Sequence, residues 1–412
     1  MTRQFRPHRK TLQRLQSGPL APHLASFAAL LTQQRYSSAT GWNKLRLVAH
    51  LSGWMVQKRL RVEDLNERHV GKFFGWRWRR VVYHSGDKCT LALLLQHLRQ
   101  SDIVLPPVPA PLTPIDMLER DYGRYLRQER GFMSGSVGQY LTVARRFLWN
   151  RFRDGKIRLK ELGTKDVSDF VLKDSGIRGR RSAQLMTSVL RSFLNYLFQE
   201  GKITTSLATA IPATAGGRLS ELPRYLEAAE VEKLLRSCDR RQNAGRRDYA
   251  VLVLLARLGL RASEVVNLEL DDIDWAAGEL VVRGKGNRAD RMPLLQEVGK
   301  AVADYLKRGR PRCSTRRVFV HCKAPYAGFS SPPNAVSNIV KRALGRAGLN
   351  LLNHGAHLLR HSLATNLLRS GASLTQISQV LRHQQTQTTE IYAKVDVNAL
   401  RALAQPWPGG AR

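Results

Sequence analysis

Residues 354–396 read HGAHLLRHSLATNLLRSGASLTQISQVLRHQQTQTTEIYAKVD, and the reading of this stretch decides the fold. His357 and Arg360 are three apart and share one face of a helix. Leu363, Leu367 and Leu368 line an apolar face of the same helix, and Gly371 suits its end. Ser373 and Gln376 have capping-box spacing for a following helix. On that helix Leu374, Ile377, Val380 and Leu381 form an apolar stripe, with His383 emerging at the end. Thr386 or Thr388 suits the cap of a short helix bearing Tyr392. A plain helical hairpin needs neither the His-Arg pair, nor the later His, nor the Tyr. Their gathering on helix edges points to an anionic, reactive partner. His361 reads as a packing or structural hydrogen-bonding residue.

Further cations lie upstream. Arg261 follows a helix stop in ARLGLRASE (256–264), where an apolar helix ends near Gly259 and a second starts at about Ser263. ELVVRGKGNRADRMPL (279–294) reads as a β-hairpin with Lys285 at its tip, able to enter a cleft. RRVFVH (316–321) reads as a further strand. These residue types suit phosphodiester transfer. Two Arg can fork onto the non-bridging oxygens. Tyr can attack if a neighbour, usually His, takes its proton. Lys can protonate the departing sugar oxygen. The cations are built in, so neither metal nor other cofactor is expected.

The stretches GLRASEVVNLELDDID (259–274), GKGNRADRMPL (284–294), HLLRHSLATNLLRSGASLTQISQVLRH (357–383) and TTEIYAKVD (388–396) resemble, in this order, the tyrosine recombinase (phage integrase) family. The resemblance implies a mainly α fold with a small β-hairpin or sheet in a C-terminal catalytic domain, preceded by helical DNA-binding domains. It implies a site-specific recombinase that cuts and rejoins double-stranded DNA through a covalent 3′-phosphotyrosine on Tyr392, without ATP. Arg261 and Arg360 would bind the scissile phosphate, with His383 in support. Lys285 would be the general acid and His357 the acceptor of the Tyr392 proton. Glu264 and Asp272 also match and read as scaffolding. One departure is Arg382, where the family commonly has Gly; it would cost turn freedom or add a phosphate contact. The family acts as a homotetramer on two duplexes, with related recombinases or helper proteins as further partners. Its tail docks on a neighbouring protomer, and VDVNALRALAQPW (395–407) is amphipathic enough to do so. Type IB topoisomerases share this chemistry, and chromosome resolution competes with a mobile-element role.

Composition agrees with a polyanionic partner. The 412 residues carry 67 Lys and Arg against 32 Asp and Glu, a formal charge of +35. Such self-repulsion does not stabilise a fold and marks nucleic-acid binding. Cys89, Cys238, Cys313 and Cys322 are scattered, without the spacing of a zinc site or disulfide framework. No run is apolar enough for a membrane span, and the basic N-terminus lacks a signal-peptide core, so a bacterial cytoplasmic, nucleoid-associated enzyme is expected.

Two Pro- or Gly-rich stretches, LPPVPAPLTP (105–114) and IPATAGGRLSELPR (211–224), divide the chain into 1–104, 113–210 and 224–412. The first two pieces look alike. Residues 24–74 parallel 118–171: Gln34-Arg35 matches Glu129-Arg130, and Val62–Leu65 matches Leu159–Leu162. The offset drifts from 95 to 97, as expected of two copies of one small helical domain with a small insertion. Piece 113–210 resembles the family's core-binding domain. In it Arg180 and Arg181 precede a helix and are candidate DNA contacts, since a helix N-terminus favours phosphate. FFGWRWRR (73–80) interleaves aromatics with Arg, as in nucleic-acid grooves, or places Trp76 or Trp78 in a core.

Overall fold

The computed structural model describes residues 18–79, 84, 86–107, 111–132, 134–153, 156–175, 180–212, 223–284, 289–330, 333–349, 355–383, 385 and 388–395. The chain is mainly α with one small antiparallel sheet. It divides into two compact units: Met1–Val108 with Arg224–Arg412, and Pro109–Pro223. Lys285, Thr386 and the 396–407 part of the tail lie outside the described residues, as do the side chains of Arg180 and Arg181.

The N-terminal helices are α1 (Leu24–Gln33), α2 (Ser38–Gln57), α3 (Glu67–Trp78) and α4 (Gly86–Gln100). Ser37 caps α2 by accepting the Thr40 N–H, and Asn66 caps α3 by accepting that of His69. Phe27, Leu45, Val48, Trp54, Phe73 and Leu94 are among the residues of their shared core. The run FFGWRWRR divides between its two readings. Trp76 packs against this core, while Trp78 is 43% exposed and stacks on Phe74.

The unit Pro109–Pro223 holds α5 (Pro114–Gln128), α6 (Ser134–Arg151), α7 (Thr164–Ser175) and α8 (Arg180–Gln199). Pro114 suits the first turn of α5, where no N–H is needed, and Thr113 with Asp116 closes a capping box. Tyr122, Leu126, Phe147, Leu190, Phe193 and Leu197 belong to one buried cluster. Buried Glu119 on α5 accepts from Arg145 Nε on α6 at 2.6 Å, pinning the two helices.

The C-terminal part runs α9 (Ala228–Arg236), α10 (Asn243–Arg257), α11 (Ala262–Asn267), β1 (Ile273–Asp274), β2 (Glu279–Arg283), β3 (Ala289–Pro293), α12 (Gln296–Asp304), α13 (Asn334–Arg346), α14 (His357–Arg369) and α15 (Leu374–Leu381). A 3₁₀ turn, Glu390–Val395, carries Tyr392. Helix α10 is buried without a break from Ala250 to Ala256 and forms the centre of the core. Strand β2 pairs antiparallel with β1 and with β3, in the register Glu279↔Pro293 to Arg283↔Ala289. Leu280 and Val282 point alternately into the core, as period-two pleating requires.

Segment 316–321 is not a regular strand. Leu270 and Val318 exchange bonds with Arg316 and Leu268 on one side, and Phe329 bonds to Phe319 on the other. Pairing with two different partners, one residue at a time, leaves only the isolated bridges Glu269↔Arg317 and Val320↔Gly328. The capping box of α15 is formed as the sequence suggests, Ser373 Oγ accepting from Gln376 N and Gln376 Oε1 from Ser373 N. Its apolar stripe is narrower than expected. Ile377 and Leu381 are buried one turn apart, Leu374 is partly covered, and Val380 is 42% exposed on the shoulder of the helix.

Candidate active site

Gly259 sets the position of Arg261. Its φ of +58° ends α10, and a Cβ there would come within 2.8 Å of Leu381 and 3.1 Å of Leu363. Only glycine allows that turn and that close approach of α14 and α15. Two residues later Arg261 is the N-cap of α11. Its backbone N–H donates to Glu264 Oε2 at 2.8 Å and its Nη1 to Oε1 at 2.7 Å.

Arg360, on α14, is 3% exposed. Its Nη1 donates to the Gly259 carbonyl and its Nη2 to the Leu381 carbonyl, tying the ends of α10 and α15 to one guanidinium. Burial, and then the neighbouring Arg261, push its pKa down to about 10. Arg382 enters the same cluster. Its Nη2 donates to Glu264 Oε2 at 2.9 Å, its Nη1 to Met292 Sδ of β3 at 3.2 Å, and its carbonyl faces Arg261 Nη2 at 3.4 Å. Burial alone would raise the Glu264 carboxyl, but the Arg261 N–H, Arg382 and the Arg261 guanidinium hold it below its ordinary value. Two guanidinium groups thus bond to one buried carboxylate beside the third, that of Arg360, and the local charge excess suits a phosphate. Asp272, the other matching acid, is 2% exposed and accepts from Arg283 at the end of β2, 2.5 Å away; both acids hold arginines, as scaffolding would.

Arg382 does cost turn freedom: it ends α15 in the left-handed region, φ +54°. That turn aims His383, whose Nδ1 lies 2.7 Å from Thr389 Oγ1. Burial, then Arg360 and Arg261, push the His383 pKa down to about 4. It is therefore neutral near pH 7, and in the tautomer where Thr389 O–H donates to Nδ1 its Nε2 carries the proton and can donate to a ligand oxygen.

Tyr392 is 1% exposed, within a cluster of Ala364, Ile377 and Leu381. Its hydroxyl lies 2.8 Å from His361 Nδ1. Burial pushes the phenol up to about 12, with Arg360 acting the other way. The residue expected as its proton acceptor, His357, is instead exposed on the first turn of α14, its ring centroid 6.2 Å from that of His361. His361 is one turn deeper on the same face, and the buried hydroxyl meets the deeper of the two imidazoles, whose planes are tilted by 35°. The i, i+4 pair His357/His361 was the signal for this in the sequence.

The structure therefore brings Arg261, Arg360, His383 and Tyr392 together, with Glu264, His361 and Arg382 added and His357 at the edge. Lys285, expected at a hairpin tip, lies outside the described residues, between the paired strands β2 and β3.

Sequence comparison matches residues 224–399 to the model of the phage integrase family. The Sinorhizobium fredii protein named "Putative integrase/recombinase y4rA" is 43% identical over 403 residues, 97% of this chain and 98% of its own length. Tyrosine recombinase XerD of Mycobacterium tuberculosis is 31% identical over 306 residues, 70% of this chain and 95% of its own. Among solved structures, XerH site-specific recombinase bound to a palindromic difH substrate, in a post-cleavage complex, aligns with a TM-score of 0.55 at 19% identity; 73% of this chain and 99% of that one are covered.

Proposed function

The chain belongs to the phage integrase family and is a tyrosine-type site-specific DNA recombinase, and on that premise we propose how its residues divide the reaction. Tyr392 Oη attacks the scissile phosphorus, and its proton passes to His361 Nδ1. The bond to the 5′ oxygen breaks, and Lys285 protonates that leaving group. Arg261 and Arg360 stabilise the charge on the non-bridging oxygens, with His383 Nε2–H in support. His357, at the mouth of the site, is assigned to the DNA flanking the scissile phosphate. Rejoining reverses these steps with the 5′ hydroxyl of the partner strand, so no ATP and no metal enter.

The observation that carries this assignment is the 2.8 Å contact between Tyr392 and His361, beside the Arg360 that spans the ends of α10 and α15. The remaining parts of the reading are proposals of the same kind. The double-stranded DNA is held by 113–210, Arg180 and Arg181 included, and by the catalytic domain 224–412. Synapsis uses a homotetramer, with related recombinases or helper proteins as further partners. A bacterial mobile element is favoured over chromosome resolution, because the XerD relative is matched along 95% of its own length yet covers 70% of this chain. Among the described residues no helix is long and apolar enough to cross a membrane; the proposed place of action is the bacterial cytoplasm, on nucleoid DNA.

The test is trapping of the covalent intermediate on nicked DNA from the gene's own flanks. Wild type gives a protein–DNA adduct on a denaturing gel, with or without chelator. Tyr392→Phe binds the same DNA and gives none. An adduct surviving in that variant assigns the nucleophile elsewhere.

A further inference from the structure

The four N-terminal helices have no part in the site described above, yet their helix ends repeat those of the unit 109–223. After α1, Tyr36 N–H bonds to Leu31 O at 3.0 Å, past Arg35 at φ +59°. After α5, Phe132 N–H bonds to Leu126 O at 2.8 Å, past Gly131 at φ +62°. Before α3, Leu65 N–H bonds to Val62 O at 3.0 Å; before α7, Leu162 N–H bonds to Leu159 O at 3.1 Å. Helices α3 and α7 are then both 12 residues long. After α4, the Leu98 carbonyl accepts from both Ile103 and Val104, past Asp102 at φ +54°. After α8, the Leu197 carbonyl accepts from both Lys202 and Ile203, past Gly201 at φ +62°. Amphipathic helices share lengths freely. They do not by chance share three end geometries in the same order, two of which need a left-handed residue.

Between α2, the end of α3 and the first turn of α4 lies a polar recess of about 260 Å³, lined among others by Asn43, Lys44, Arg46, His50, Arg77 and Asp87. Arg77 is 7% exposed. Its Nη1 donates to His50 Nδ1 at 2.7 Å, and its Nη2 is 3.6 Å from Asp87, past hydrogen-bond reach. Its buried Nε–H has no hydrogen-bond partner among the described residues. Lys44, partly buried, donates to Thr90 Oγ1 at 3.0 Å. Three cations thus line a recess with one carboxylate, and an anion with several acceptor oxygens would balance that excess.

We propose that the N-terminal four-helix unit is a second copy of the unit at 109–223, and that its recess around Arg77, Lys44 and Arg46 seats a phosphate of the DNA backbone. The inference rests on the reading of 113–210 as a DNA-holding domain. It gives the enzyme an additional grip on the duplex that shorter relatives covering only part of this chain do not have.

The experiment measures binding of full-length protein to random-sequence duplex DNA across a salt series, with adduct formation by wild type read in parallel. Each neutralised phosphate contributes roughly 0.9 to the slope of log affinity against log salt. The double variant Lys44→Ala/Arg46→Ala should lower that slope by about one. Arg46→Glu, at an exposed position, should lower it too and keeps the test open if the double variant melts early. Arg61→Ala, exposed in the same unit but not lining the recess, should leave it unchanged. Slopes equal to wild type in both recess variants overturn the proposal. So does a wild-type protein that inorganic phosphate stabilises against heat while the recess variants keep the wild-type slope, because the recess then serves a free anion. Failure of wild type to form an adduct bears instead on the recombinase reading, and the slopes are measured without it.

Discussion

The side of the candidate site proposed to hold the phosphate and the side that carries Tyr392 are built differently. Arg261 and Arg360 are held by many bonds from separate elements: a buried carboxylate, the carbonyls that end α10 and α15, and Arg382 reaching β3. Tyr392 sits on a short 3₁₀ turn after α15, with one hydrogen bond to His361 and a small apolar cluster around it. The charge-stabilising half is thus preorganised before DNA arrives, as electrostatic catalysis requires. The nucleophile half is held by contacts that can be changed without disturbing the arginines. Substitutions should therefore fall into two classes, those that unsettle the fold together with the reaction and those that touch the reaction alone.

Arg360→Ala should have the largest effect and belongs to the first class. On the proposed assignment it removes a donor to the phosphate, worth about 10²–10³ in rate for a comparable oxyanion contact. It also leaves the buried Gly259 and Leu381 carbonyls without their guanidinium partner, at about 1–3 kcal/mol each. Cleavage and melting temperature should fall together. If Arg360→Ala melts like wild type, the phosphate side is not the rigid half, and the contrast fails.

His361→Ala should come next, with loss of rate and little loss of stability. A general base contributes about 10²–10⁴-fold. Because burial raises the Tyr392 phenol to about 12, it stays protonated near neutral pH and needs an acceptor. Without His361, solvent takes that part, and the rate should climb by about tenfold per pH unit over a range where wild type is flat. His361→Asn, whose amide reaches the place of Nδ1 but cannot take a proton, should be as slow as His361→Ala and show the same rise of rate with pH. Wild-type rate in His361→Asn, with an unchanged pH profile, would reduce His361 to positioning the hydroxyl. The same shift has a consequence for stability. The folded pKa lies above the unfolded value of 10, so the contribution of buried Tyr392 is complete below 10 and is lost as pH rises through 12.

These two residues also mark what sequence can convey. Arg360 was legible because Gly259, Arg261 and the HxxR spacing sit at helix ends, where local rules of stops and caps apply. The capping box of Ser373 and the pairing of β2 with β3 were legible from local rules as well. The partner of Tyr392 was not, since His357 and His361 share a face and only depth separates them, and depth depends on how α14 packs against the turn carrying Tyr392. Segment 316–321 reads as a strand because Val318, Phe319 and Val320 make the continuous apolar run of a buried segment, while its bonds are divided between two neighbours. The left-handed Arg382 violates a local preference, and tertiary ion pairing outweighs that preference.

Arg382 should show the smallest effect, and it tests whether the two halves are joined. Its side chain is paired with Glu264, yet Glu264 keeps both bonds from Arg261 when Arg382 is removed. The carboxylate is not orphaned, so the phosphate side should survive with a few-fold loss of rate at most. The backbone term runs in the opposite direction. At φ +54° a Cβ costs about 1 kcal/mol, which glycine avoids and alanine does not. Arg382→Gly and Arg382→Ala remove the same charge, so their difference in stability isolates the turn, and Gly should be the more stable by about that amount. His383 follows directly in the chain, so a strained turn that aims it would make Ala the slower variant as well. Equal stability and equal rate for the two would mean that the left-handed turn is imposed by α15 and Thr389 rather than carried by residue 382. A loss as deep as that of Arg360→Ala would instead place the Arg382 guanidinium on the phosphate itself.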